Sequence, residues 1–157
     1  MGVMEKLVGL RRFRAVRELL LLYGLDIPAA VQIGSGLVLQ HRGMGTVIHP
    51  ATTLGQNVTL YHQVTIGRAD AHVPWEQSLM ERIVIEDGVI LYPGAKVLGG
   101  AGTTTVGRST ILAANAVLTR STGDWEIWGG VPARKLGDRE RHDGATRDAS
   151  ATPATEH

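Results

Sequence analysis

Large aliphatic residues recur every six positions through the middle of the chain, and this spacing limits the fold more than any other feature. They stand at Ile33 and Leu39, then at Ile48, Leu54, Leu60 and Ile66, then at Ile85, Leu91 and Val97, and finally at Val106, Leu112 and Leu118. An amphipathic helix repeats its apolar face every three to four residues, so this period excludes one. The third residue after several of these aliphatics carries an independent signal. Gly36, Asn57, Gly88, Gly94 and Asn115 stand there, the residue types that tolerate left-handed backbone at a tight corner. The fourth residue is small or β-branched, as at Thr52, Val58, Val64, Val89, Ala95, Thr110 and Ala116. Short extended runs between such corners predict an all-β solenoid. Equivalent residues then stack from coil to coil, and each coil satisfies its neighbours' backbone hydrogen bonds. Two interruptions break the period: three extra residues within 40–47 and an excursion loop over 67–83. Loops on a rigid scaffold are where sites concentrate.

Composition agrees with a thin interior. Aromatic residues make up 4% of the 157-residue chain, a low share for a core that usually draws buried area from rings. Lys and Arg number 16 against 15 Asp and Glu, so no basic footprint for nucleic acid is present. Cysteine is absent, which removes disulfides, thiolate ligands and a thiol nucleophile. Within residues 1–22, Val3, Leu7, Leu10, Phe13, Val16 and Leu20 fall at helical spacing with arginines largely between them, which predicts a short N-terminal amphipathic α-helix. Its apolar run Leu19–Leu22 is far shorter than the roughly 20 residues that span a bilayer, and a cytoplasmic protein is expected. Residues 138–157 carry almost no apolar side chain and are expected to form a disordered tail. The solenoid domain is then 23–137.

The repeat also sorts the histidines. His41 lies two residues after Leu39 and His62 two after Leu60, so strand spacing puts them about 5 Å apart on one face of adjacent coils. Pro93 and Ala114 continue that column and predict a slot for a long, thin ligand.

The period resembles that of the hexapeptide-repeat acyltransferases, and the resemblance has specific carriers. The stretch YGLDIPAAVQIGSGLVLQHRGMGTVIHPATTLGQNVTLYHQVTIG is similar to the start of the β-helix in serine acetyltransferases and in related sugar and polysaccharide O-acetyltransferases. The match runs on through IEDGVILYPGAKVLGG and closes at WGGVPARKLG. It implies a left-handed parallel β-helix of about four coils, with three hexapeptides in each. Asp26 stands fifteen residues before His41, the separation that serine acetyltransferases keep between an Asp and a general-base His. The resemblance therefore implies His41 as base, Asp26 as its orienting partner and a backbone N–H near Gly67 for the oxyanion. It also implies acetyl-CoA as co-substrate, its pantetheine along Pro93 and Ala114 and its phosphates near Arg134 and Lys135. A homotrimer with CoA between subunits is implied as well. The chemistry suits a histidine: a neutral alcohol attacks a thioester weakly, and a positioned base contributes roughly 10²–10⁴-fold.

Departures from the serine enzymes turn the expected acceptor toward a sugar or polysaccharide hydroxyl. Gln40 replaces their Asp before the catalytic His, and Glu81 and Arg82 stand where they carry an Arg-His pair. Their long N-terminal helical domain is matched here by one short helix. Trp75 is the expected stacking surface for a sugar face, with His62, Gln40 and Arg82 as further acceptor-side residues. A serine O-acetyltransferase is the alternative enzyme, and a non-catalytic β-helix scaffold the alternative of another class. A metal site like that of β-helical carbonic anhydrases is not expected, because His62 and His72 are ten residues apart and the sequence lacks the closely spaced His pair that those sites use.

Overall fold

The computed structural model describes residues 2–141. Four coils of three short strands carry the period. The first holds β1 (Gln32–Ile33), β2 (Val38–Leu39) and β3 (Val47–Ile48); the second holds β4 (Thr52–Leu54), β5 (Thr59–Leu60) and β6 (Thr65–Arg68). The third holds β7 (Met80–Ile85), β8 (Ile90–Leu91) and β9 (Lys96–Gly99); the fourth holds β10 (Gly102–Val106), β11 (Ile111–Leu112) and β12 (Val117–Leu118). Corresponding strands stack in parallel into three sheets: sheet I in the order β1-β4-β7-β10, sheet II along β2-β5-β8-β11, and sheet III in the order β3-β6-β9-β12.

The register places every periodic aliphatic on its counterpart. Ile33, Leu54, Ile85 and Val106 align in sheet I, Leu39, Leu60, Leu91 and Leu112 in sheet II, and Ile48, Ile66, Val97 and Leu118 in sheet III. All are buried except the half-buried Ile33. The small residues at the fourth position, from Thr52 to Ala116, are buried beside them. The corner residues Gly36, Asn57, Gly88, Gly94 and Asn115 all have positive φ. Arg42, Gln63 and Ser109, at the equivalent position of other repeats, are left-handed too. Residue type hid them, because the stacked neighbours hold the backbone there whatever the side chain.

A solenoid has open ends, and both are covered. At the first coil, α1 (Val3–Gly9) and α2 (Arg14–Leu22) bury Met4, Val8 and Leu20 against the core. The single N-terminal helix expected over 1–22 is thus two helices. Arg11, in the turn between them, donates from Nε to the Pro28 carbonyl at 3.2 Å, from one terminal nitrogen to Val8 at 2.9 Å, and from the other to Val31. Those bonds fasten the helical pair to the coil below, and Glu5 accepts the Leu39 N–H at 2.9 Å. At the last coil, β13 (Glu126–Gly130) pairs with β11 and turns back as an antiparallel hairpin with β14 (Ala133–Asp138), so that sheet II ends in these two strands. Trp128 stacks on Leu112 and closes the core. The ordered fold continues past the boundary expected at 137: Asp138 ends β14, and the Arg139 side chain donates to the Ser109 carbonyl at 3.0 Å. The remainder of the expected tail, 142–157, lies outside the described residues. The excursion is shorter than expected, because β6 reaches Arg68 and β7 begins at Met80. No helix among the described residues is long and apolar enough to cross a membrane.

Candidate active site

The three extra residues of the first coil form the first cluster. They lie at the corner from sheet II to sheet III. His41, Arg42 and Gly43 follow one another in left-handed backbone, at φ 52°, 60° and 65°, and the loop they make holds His41 out from the coil in solvent. The backbone register differs from the expected stacking of His41 on His62. Gly94 N–H bonds to the His62 carbonyl and Asn115 N–H to that of Pro93, which stacks His62, Pro93 and Ala114 in one column. In the coil below, Gln63 N–H bonds to Met44, so Met44 takes the register position beneath His62 and His41 is looped out. The two imidazoles nevertheless meet edge to face, with centroids 5.1 Å apart. The contact is made by side chains reaching across an insertion and not by the column.

Two aromatic residues missing from the sequence expectations extend this corner. Tyr61 and Tyr92 stack with centroids 5.0 Å apart and planes 8° from parallel, and the His41 ring tilts against Tyr61 at 6.2 Å. Each tyrosine follows a stacked leucine by one residue, Leu60 or Leu91, and that shared position was the available signal. The Nδ1 of His62 is out of solvent and has no hydrogen-bond partner among the described residues.

Asp26 enters the coil as an extra bridge beneath sheet III, pairing with Val47. Its N–H donates to the Thr46 carbonyl at 2.9 Å. Its Oδ1 is buried without a hydrogen-bond partner, and no bond to His41 is formed in this state.

The other predicted residues lie elsewhere. Gly67 is in β6, five positions after His62, up to roughly 16 Å of extended chain at ~3.3 Å per residue. A side chain at Gly67 would meet no atom within 4 Å, so its outer face is open. Trp75 sits in the excursion and packs on His49, with ring centroids 5.2 Å apart. Gln40 is exposed at the start of the insertion. Arg82 is on the outer face of sheet I beside a depression lined by Gln32, Thr53 and Glu81, away from His41. Lys135 is already paired, with Asp138 at 2.7 Å and Glu126 at 2.9 Å, and these bonds raise its pKa above the ordinary lysine value. Arg134 is exposed, with one bond to the Ala133 carbonyl.

A second cluster, at the far end of sheet III, was not anticipated. His49 follows Ile48 as Gly67 follows Ile66 in the stacked strand, so alternation puts both on the outer face side by side. Its Nδ1 accepts the Ala51 N–H at 3.1 Å. Burial, and next the charge of Arg68, hold its pKa below the ordinary 6.5. Followed by NMR, the His49 imidazole should therefore titrate below 6.5, and Arg68→Gln should raise the midpoint. A midpoint unmoved by that substitution would show that the Arg68 charge is not felt at His49.

No family model matches the chain. Similar proteins are serine acetyltransferases. The enzyme of Staphylococcus xylosus is 32% identical over 130 residues, which are 83% of this chain and 56% of that one. A crystal structure of serine acetyltransferase from Brucella abortus in complex with coenzyme A superposes with a TM-score of 0.60 at 30% identity, covering 71% of this chain and 41% of that one. A Neisseria gonorrhoeae serine acetyltransferase in complex with serine superposes at 0.64 with 26% identity, over 77% of this chain and 46% of that one. The shared fold is the left-handed β-helix. The chain spans about half the length of the curated relatives it matches.

Proposed function

Because the chain belongs to the hexapeptide-repeat acyltransferase family, in its serine acetyltransferase-like branch, we propose that it transfers an acetyl group from acetyl-CoA to the hydroxyl of a small acceptor. The observation that carries this reading is the exposed His41, held out on a left-handed insertion with its ring 5.1 Å from that of His62. In the proposed reaction His41 takes the proton of the acceptor hydroxyl as its oxygen attacks the thioester carbonyl. The tetrahedral adduct collapses, the carbon–sulfur bond breaks, and the imidazolium returns the proton to the departing CoA thiolate. Asp26 is the proposed partner of that imidazolium, because its buried Oδ1 is an acceptor without a donor and a carboxylate stabilises the charge formed in the step.

The acceptor we favour is L-serine. The named relatives are serine acetyltransferases, and one similar structure was solved with serine. The sugar acceptor suggested by Gln40 and Arg82 gains no support from them. Within one chain the proposed groups gather at both ends of sheet III, with His41 at one and Gly67 at the other. This division supports a homotrimer that completes each site, and the CoA groove, between neighbouring copies. Thiol release from acetyl-CoA, compared across L-serine, N-acetylglucosamine and glucose, tests the acceptor. The expected kcat/KM is at least roughly tenfold higher with L-serine, the discrimination a site built to bond polar groups readily achieves. A preference for either sugar would restore the alternative acceptor.

A further inference from the structure

The cluster at the far end of sheet III borders an open cavity of about 350 Å³ lined by His49, Pro50, Ala51, Arg68 and Trp75. Three observations indicate what it would hold. With Nδ1 occupied by the Ala51 N–H, the neutral imidazole of His49 carries its proton on Nε2 and is a hydrogen-bond donor. The Arg68 guanidinium lies 5.9 Å from the centre of the Trp75 ring and donates from one nitrogen to the Ala71 and Val73 carbonyls. Its other terminal nitrogen has no hydrogen-bond partner among the described residues; Asp70 Oδ1 is 3.8 Å away, a loose ion pair. Asp70 is turned to Ser78, whose hydroxyl donates to Oδ2 at 2.8 Å, and among the described residues no acidic side chain lines the cavity. Burial, and after it the nearby Arg68 charge, lower the pKa of His49 and so favour the neutral ring.

We propose that the cavity formed by His49, Arg68 and Trp75 is a binding subsite for an oxyanion, a carboxylate or phosphate, held by the His49 Nε2–H and the Arg68 guanidinium. The same chemistry could be presented by the carboxylate of an amino-acid acceptor or by a phosphate of a nucleotide. Trp75 supplies a flat wall for whatever carries the group. Within one chain the subsite lies at the opposite end of sheet III from His41, and binding there does not depend on acetyl transfer taking place.

Tryptophan fluorescence of the full chain tests it, with inorganic phosphate, acetate, L-serine, L-serinamide and adenosine 3′,5′-bisphosphate as probes. The expected result is a saturable change with at least one oxyanion that disappears in Trp75→Phe. Its midpoint should rise about tenfold or more in Arg68→Gln and in His49→Ala, the size of losing one charge-assisted or buried bond. His49→Gln, which keeps a donor, should recover part of the loss. Saturation by L-serine but not by L-serinamide assigns the oxyanion to an acceptor carboxylate, whereas saturation by the bisphosphate assigns it to a nucleotide. His49→Ala leaves the Arg68 bonds to the loop in place, so it decides the matter even where Arg68→Gln disturbs that loop. No saturable response to any oxyanion, or a response unchanged in both variants, overturns the proposal.

Discussion

Replacing His41 by Asn should lower kcat for acetyl transfer by roughly 10²–10⁴-fold, the contribution of a positioned general base, while thermal unfolding stays unchanged. The choice of Asn matters. His41 lies at φ 52° and is followed by Arg42 and Gly43 at 60° and 65°, and Asn is among the few side chains that accept left-handed backbone easily. An Ala there would mix a conformational cost with the chemical one. His41 is exposed and contributes little to the core, so a loss of rate without a loss of stability isolates its chemical role. Thiol release and far-UV circular dichroism on the same preparation make the comparison. Turnover near the wild-type rate would move the base elsewhere, first to His62, the neighbouring ring.

Leu60→Ala should be among the most destabilising substitutions in the chain, at about 3–5 kcal/mol. Leu60 is fully buried and stacked between Leu39 below and Leu91 above. Truncation would open a void that neither neighbour can fill without leaving its own coil. Ile33→Ala supplies the comparison, because Ile33 is half-buried at the end of its column, with only Leu54 stacked on it. Its cost should be less than half as large. Chemical denaturation of both variants reads the difference, and equal losses would mean that the columns do not carry the stability.

Most of the coil is legible in the sequence because a solenoid converts distance along the chain into contact by a fixed rule. Six residues separate successive walls of the coil, so Leu39, Leu60 and Leu91 can be aligned before any coordinates are known. The site is less legible where that rule is broken. The insertion after Leu39 removes His41 from the column, and the 5 Å spacing between His41 and His62 arises from side-chain reach, for a reason different from the expected one. The separation of Asp26 and His41 along the chain gives no distance between their side chains. His49, as a single histidine after Ile48, carries no motif of its own. Its place beside Gly67 follows only when the alternation of β3 is carried one residue past Ile48. Arg11 is one of several arginines between the apolar positions of residues 1–22, and nothing there reveals that the carbonyls of Pro28 and Val31 lie within its reach.

The reading of this chain as a serine-directed acetyltransferase is tested most directly by product formation. Incubated with acetyl-CoA and L-serine, the purified chain should release CoA thiol and form O-acetylserine in equal amounts. Both should depend saturably on each substrate and fall together in His41→Asn. Thiol release with no acetylated product, or no transfer to L-serine at any concentration of acetyl-CoA, would contradict it.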